Sequence, residues 1–300
     1  MNSKEQFEKV GDELLVRAPA KINLSLLVAG KRPDGFHEIE TVMAKVDFYD
    51  EILIEAGLKD GFELVCKGPY SAPEGKENLI YQTCEMLQES CVKTADTKIT
   101  LTKNIPAGSG LGSASSDAAA TLIGLNKYLN LGLTNRQLAK SARLLGSDVA
   151  FFLDGPLALC TGKGEKIKKL TKNFNFLALL ILPDISVSTK KVYANYRHNA
   201  PLYERLSTRI NSYIEKNRID LVSEMLTNML ETSCFNLYRE LAELKARIES
   251  LGIGPLCLSG SGSALFFIMD SRDKKRASKI KQQLTEKIGC KSIIVSNNRW

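Results

Sequence analysis

The sequence predicts an α+β protein in two parts, and three observations predict it. Over the first stretch, to about residue 170, strand-like segments of period two alternate with helix-like segments of period 3.6. A lysine-rich composition break, KKLTKNFN at 168–175, follows. Beyond it come one continuous apolar strand, several long helices and two further strands, which read as a second α+β unit. The parts are therefore residues 1–170 and 171–300. With 300 residues, 44% of them hydrophobic and 25% charged, the chain can bury a core, and wholesale disorder is excluded.

Each element has its own pattern. At 20–29, Ile22, Leu24, Leu26 and Val28 alternate onto one strand face, with Lys21, Asn23 and Ser25 on the other. Segments 51–56 and 98–102 alternate likewise. A helix is expected over 78–91, with Leu79, Cys84 and Leu87 as its inner stripe. Ala114, Ala118, Leu122, Leu125 and Leu129 mark a helix over 114–129, and another is expected over 135–145. Residues 157–160 followed by Thr161-Gly162-Lys163-Gly164 read as a hairpin arm. The apolar run Phe176 to Leu182 stops at Pro183 and reads as a buried strand. Helices are expected at 202–216, 219–230 and 235–251, then a glycine-rich turn, a strand at 264–269, a helix at 273–288 and a strand at 291–296.

Composition narrows the function. Lys plus Arg number 41 against 34 Asp plus Glu, a net charge of +7 that suits an anionic ligand. The basic residues are scattered, and each small cluster taken alone reads as solvated surface. Seven cysteines, an odd number without a C-x-x-C pair, favour buried thiols in a reducing compartment over a disulfide framework. Only two histidines are present, which weakens a metal centre. No apolar run approaches the ~18 residues of a membrane helix. The opening MNSKEQFEKV lacks the apolar core of a secretory signal, so a cytoplasmic protein is expected.

The strongest chemical signal is Pro106-Ala107-Gly108-Ser109-Gly110-Leu111-Gly112-Ser113-Ala114-Ser115-Ser116, between a strand and the best helix. Its glycines permit positive φ and close backbone approach to a ligand. The helix start supplies free N–H groups and a dipole suited to phosphate. Ser113, Ser115 and Ser116 add hydroxyls able to donate to phosphate or ligate a metal. The pattern is neither a Walker loop nor a dinucleotide fingerprint, and by itself it reads equally well as a flexible loop with a serine cap. Three more segments stand out: Lys21 with Asn23 on a polar strand face; Pro33-Asp34-Gly35 setting Phe36 beside His37; and Asp148 just before an apolar run. Singly, each fits a plain reading: a snorkelling lysine, a hairpin turn with a core Phe, and a helix cap.

In this order, however, PAKINLSL, RPDGFHEIE, IPAGSGLGSASSDAAA, LGSDVAFFL with GKGEKI, and LSGSGSALF resemble the GHMP small-molecule kinases, over residues from about 16 to 267. The glycine–serine loop is common to that family. PAKINL and PDGFH are specific to the branch whose phosphoryl acceptor carries a cytidine diphosphate.

The resemblance implies an N-terminal domain like ribosomal protein S5 domain 2, a ferredoxin-like C-terminal domain, and an active site in the cleft between them. It implies ATP and magnesium as cofactors, and transfer to the 2-hydroxyl of a cytidyl diphosphate methylerythritol on the non-mevalonate route to isoprenoid precursors. By resemblance, Lys21 and Asp148 are catalytic and residues 106–116 bind ATP. Asn23, Phe36 and His37 bind the acceptor, and Ser259, Gly260, Ser261 and Gly262 close the cleft. Phe36 stands where many members carry Tyr, and Ser113 and Ala114 where many carry glycine, which is expected to narrow the loop. The partner is a small molecule rather than nucleic acid or membrane, and the assembly a monomer or weak homodimer. A relative acting on homoserine, mevalonate or a sugar would have no use for the PDGFH turn. An RNA binder would show a basic stripe with interleaved aromatics, whereas aromatics are 7% and the bases dispersed.

Overall fold

A computed structural model describes residues 5–57, 61–90, 96–171 and 174–300. Residues 1–4 of the opening segment, Cys91 at the end of the expected helix, and residues 172–173 in the composition break lie outside the described residues. Two long strands, Glu13–Lys31 and His37–Ala56, pair antiparallel from Leu14↔Ile54 to Lys31↔His37. Pro33-Asp34-Gly35 turns the chain between them. Arg32 N–H donates to the Phe36 carbonyl at 2.7 Å, and the Asp34 carboxylate accepts from Phe36 N–H at 3.1 Å.

Around this pair, eight strands of the described residues form one sheet. Phe7–Val10 lies beside Glu13–Lys31; Thr97–Thr102 and then Phe62–Lys67 lie beside the outer half of His37–Ala56. The hairpin Leu157–Gly162 and Lys166–Lys169 covers the inner half of that strand, as the turn at 161–164 led one to expect. The second sheet is antiparallel, in the order Cys257–Leu258, Leu265–Asp270, Phe176–Leu182, Lys291–Ser296. Phe176–Leu182 is central and buried along its whole length, which is why it reads as an unbroken apolar run.

Helix Ser113–Tyr128 packs on the first sheet through Ala118, Leu122 and Leu125, and Asn135–Leu145 starts at a Thr134/Gln137 capping box. Short helices Val149–Leu153 and Thr189–Ala194 and the strands Phe7–Val10 and Phe62–Lys67 had no periodic signal long enough to be expected. Among the described residues, no helix is long and apolar enough to cross a membrane.

Three expectations differ from the structure. The face assignment at 20–29 fails after Asn23, because a bulge shifts the register between Asn23↔Met43 and Ser25↔Val42. The extra residue swaps faces, so Ile22, Leu24 and Leu27 share one core while Leu26 and Val28 join another. The helix expected at 219–230 ends at Glu224. Leu226 takes φ +44°, and Thr227–Asn228 then pairs parallel with Ser25–Leu26. The helix expected at 235–251 is two helices, Glu231–Leu237 and Arg239–Glu249, broken at Tyr238, whose hydroxyl accepts from Ser188 N–H at 3.0 Å.

Candidate active site

A cavity of about 1150 Å³ is walled by the two long strands, residues 106–110 and 112–115, Ser147 and Asp148, part of the stretch 189–196 and the late glycine loop. The glycine–serine loop enters its helix through Gly108, Gly110 and Gly112, with φ of +65°, +75° and +71°. Two of these positions also lack space. A Cβ on Gly110 would lie 2.0 Å from the Ser259 carbonyl oxygen, and one on Gly112 would lie 2.9 Å from Lys21 Cγ and Phe152 Cζ. The main chain of the loop is thus pressed against both the late loop and Lys21.

Of the expected loop residues, Pro106, Ala107, Gly108, Ser109, Gly110, Gly112, Ser113, Ala114 and Ser115 line the cavity; Leu111 and Ser116 do not. Leu111 packs into the core, while its carbonyl accepts from Lys21 N–H at 2.9 Å. Ser116 is turned into the protein, its Oγ buried and without a hydrogen-bond partner. Beneath the loop lies an ionic cluster that the sequence did not announce. Lys103 donates to Asp50 Oδ2 at 2.6 Å and also to Asp117 Oδ2 and Ser113 Oγ. Asp50 accepts from the N–H groups of Asn104 and Ile105 at 2.5 and 2.8 Å, and from the Ser113 hydroxyl at 2.9 Å. Burial pushes the Asp117 carboxyl well above the usual range, with Lys103 opposing and Asp50 adding to it. The Ser113 side chain therefore anchors the first helical turn downward to this cluster.

Lys21 is 4% exposed, and its ammonium donates to Asn23 Oδ1 at 2.6 Å and to the Gly110 carbonyl at 2.8 Å. Asn23 is oriented in turn by Thr41, whose Oγ1 accepts from Asn23 Nδ2 at 2.8 Å. Burial lowers the Lys21 pKa, and the Asp148 charge counters it. Asp148 occupies the N-cap position of helix Val149–Leu153, yet its side chain makes no cap hydrogen bond. The plain helix-cap reading is therefore not realised; Asp148 lines the same cavity as Lys21, and its charge favours the Lys21 ammonium.

Phe36 is 53% exposed at the other end of the cavity, with the Lys163 ammonium 4.5 Å from its ring centroid. The His37 ring lies 5.1 Å from Tyr193 and 5.9 Å from Tyr196, both cavity residues that the sequence left unmarked. Burial, then Lys31, lowers the His37 pKa, so near neutrality the ring is uncharged and offers one donor and one acceptor. Gly260 and Ser261 line the cavity. The Ser259 hydroxyl donates to the Gly110 carbonyl at 3.0 Å, and Ser261 Oγ lies 2.7 Å from Thr189 Oγ1. Gly262 faces away, toward Leu258 and Cys234. An apolar strip of Ala72, Pro73, Leu79 and Leu101 completes the wall beyond the loop.

Among the described residues there is no cluster of three or more His, Cys, Asp or Glu able to hold a metal alone. Of the carboxylates that line the cavity, Asp117 is held by Lys103, and the donors near the loop left outside that cluster are Asp148 and the Ser115 hydroxyl. That sparse set fits magnesium, which usually takes one or two protein oxygens and completes its shell with phosphates and water.

This is the layout of a small-molecule kinase: a glycine-rich loop at a helix start, an ammonium and a carboxylate converge on one cavity. The GHMP kinases N-terminal domain matches residues 78–156, and the GHMP kinases C-terminal domain matches residues 210–289. A 4-diphosphocytidyl-2-C-methyl-D-erythritol kinase of Bacillus cereus is 40% identical over 265 residues, covering 87% of this chain and 90% of that protein. The crystal structure of a 4-(cytidine 5'-diphospho)-2C-methyl-D-erythritol kinase superposes with a TM-score of 0.74 at 30% identity, over 95% of this chain and all of that one. A homoserine kinase from Cytophaga hutchinsonii superposes with the same score at 22% identity, over 99% of this chain and 98% of that one, and speaks for the fold alone. The chain belongs to the GHMP kinase family.

Proposed function

We propose that this chain transfers the γ-phosphoryl group of ATP to the 2-hydroxyl of 4-diphosphocytidyl-2-C-methyl-D-erythritol, a step toward isoprenoid precursors by the non-mevalonate route. One observation carries the reading. Lys21, Asp148, the glycine–serine loop and the Phe36/His37 turn share a single cavity, in a chain 40% identical to a kinase named for that substrate.

Phosphoryl transfer needs alignment and neutralisation of charge more than covalent chemistry. The N–H groups of residues 108–115 and the dipole of the following helix hold the ATP phosphates. The apolar strip at Ala72, Pro73, Leu79 and Leu101 takes the adenine. Magnesium, when bound, would neutralise charge on the phosphates, with Asp148 and the Ser115 hydroxyl as the protein oxygens near it. Lys21, already donating to the Gly110 carbonyl, offsets charge on the phosphoryl group and on Asp148. Asp148 accepts the proton of the acceptor hydroxyl. A carboxylate is a far weaker base than an alkoxide, so that proton moves late, as the phosphorus–oxygen bond forms. Asn23 holds the Lys21 ammonium and faces the acceptor. Phe36 stacks on the cytosine and His37 reads its edge. Residues 259–262 keep the late loop closed on Gly110, with Gly260 and Ser261 facing the phosphates.

The acceptor is a small molecule, and the assembly we propose is a monomer or weak homodimer. The six described cysteines are all unpaired, which supports a reducing, cytoplasmic setting. The direct test is Asp148→Asn. Turnover should fall by roughly 10²–10⁴-fold, the usual general-base range, with ATP affinity little changed. Wild-type turnover in that variant would remove Asp148 from the mechanism.

A further inference from the structure

Helix Val149–Leu153 carries Asp148 at its start, yet it is only five residues long. So short a helix holds itself weakly, and its last carbonyls need partners from outside. They find one in Lys45. This side chain is 1% exposed, and its ammonium donates to the carbonyls of Phe152 at 3.0 Å and Asp154 at 2.6 Å. Lys45 does not line the cavity, so it touches neither the phosphates nor the acceptor.

Its place in the sheet is informative. Lys45 is the direct cross-strand partner of Lys21 in the pair of long strands. Side chains opposite one another in an antiparallel pair share a face. The two lysines therefore lie beneath the same short helix. Lys21 meets the Phe152 side of it, since a Cβ on Gly112 would touch both Lys21 and Phe152. The Lys45 ammonium lies 5.9 Å from the Phe151 ring centroid. One lysine thus acts electrostatically on the residue that opens the helix, and its neighbour ties down the carbonyls that end it. The charged groups around Lys45 are Asp154, whose charge favours the ammonium, and Lys169, whose charge opposes it. Those two form an ion pair of their own at 2.6 Å.

We propose that Lys45 is a positioning residue for phosphoryl transfer: by capping the carboxyl end of helix Val149–Leu153 it fixes the Asp148 carboxylate opposite Lys21. The proposal rests on the reading of Asp148 as the proton acceptor. A shift of about 1 Å in a reacting group costs on the order of 100-fold in rate. Lys45→Met keeps the apolar stem and removes the donors. Lys45→Gln returns a neutral donor on a shorter arm.

The test is a double-mutant cycle in kcat and KM, with Lys45→Met and Lys45→Gln each made alone and combined with Asp148→Asn. Lys45→Met alone should lower kcat by about 100-fold and leave both KM values within a few-fold, and Lys45→Gln should recover part of that loss. In the Asp148→Asn background, neither change should lower kcat by more than a few-fold, because the carboxylate they position is gone. Three results would each overturn the proposal: wild-type kcat in Lys45→Met, equal losses in Met and Gln, or losses that multiply in full with that of Asp148→Asn. If Lys45→Met does not fold, Lys45→Gln carries the same cycle: a kcat loss confined to the Asp148 background supports the proposal, and an unchanged kcat overturns it. Wild-type turnover in Asp148→Asn alone defeats the reading of Asp148 instead, and the Lys45 effect is then read separately.

Discussion

Phe36 offers the cleanest test at the scale of single residues. A base stacked on an aromatic ring is worth about 1–3 kcal/mol. Phe36→Ala should therefore raise the KM for the cytidyl acceptor by roughly 5- to 150-fold and leave the KM for ATP unchanged. An unmoved acceptor KM would show that Phe36 is not the platform. Lys45 yields a prediction about pH. Burial lowers its pKa from 10.5 to about 7 in the folded protein. Between those values the unfolded chain binds the proton and the folded chain does not, so this residue makes stability rise with pH from about 7 upward. Its penalty is fully present below that window. The melting temperature of the wild type should accordingly gain on that of Lys45→Met between pH 6 and pH 9, measured by thermal unfolding. A constant difference would mean that the ammonium is not buried at such cost. Residues differed in how far they could be read beforehand. Lys21, Asn23, Phe36, His37 and Asp148 sit in short dense motifs. Asp50, Lys103 and Asp117 lie in three separate segments and meet only because a strand, a loop and a helix converge. Nothing in local spacing announces such a meeting.

Elements add the question of how the two glycine loops fit together. Gly110 combines a left-handed φ with a Cβ position 2.0 Å from the Ser259 carbonyl, whereas a Cβ on Gly108 would meet Ser186 and Val187 at an ordinary 3.5 Å. Gly110→Ala must push the loops apart, a cost of about 1–3 kcal/mol on top of backbone strain. It should raise the KM for ATP by at least tenfold, and by more than Gly108→Ala does. Equal effects from the two substitutions would mean that contact between the loops does not shape the proposed ATP site. Regular elements were legible because periodicity persists through them: 135–145, 176–182 and 291–296 form as their patterns predict. The failures fall where tertiary contacts override pattern. The bulge after Asn23 redirects Leu26 toward the cavity. The helical pattern beyond Glu224 gives way because Asn228 donates to the carbonyls of Leu258 and Gly260 at 2.8 and 2.7 Å, holding residues 227–228 against the first sheet. The partners in both cases are distant in sequence, so no window of neighbours contains the signal.

On the scale of the whole molecule, the two expected parts are stitched together. Thr227–Asn228 joins the sheet of the first part, and Glu40 accepts from Ser207 and Asn211 on helix Ala200–Glu215 at 2.8 and 3.0 Å. One core cluster draws Ile22 and Val42 together with Leu180, Ile210 and Phe266. At the end of the chain, Asn298 N–H donates to the Lys45 carbonyl at 2.9 Å, and Trp300 stacks on Tyr49 at 5.6 Å. We infer that residues 1–170 and 171–300 unfold as one unit. Fluorescence of the single tryptophan and far-ultraviolet circular dichroism should then give coincident urea transitions; separated midpoints would show that the parts unfold independently. The cavity bears on substrate choice, because the fold is shared with a homoserine kinase, and the proposed reading assigns the turn bearing Phe36 and His37 to a pyrimidine. The most direct measurement is ATP consumption by the purified protein with 4-diphosphocytidyl-2-C-methyl-D-erythritol, homoserine and mevalonate supplied in parallel. A kcat/KM for the cytidyl acceptor at least ~10⁴-fold above the other two is expected, since sites built to hydrogen-bond a substrate group reject molecules lacking it by that much. Equal or greater turnover of homoserine or mevalonate would contradict the assignment.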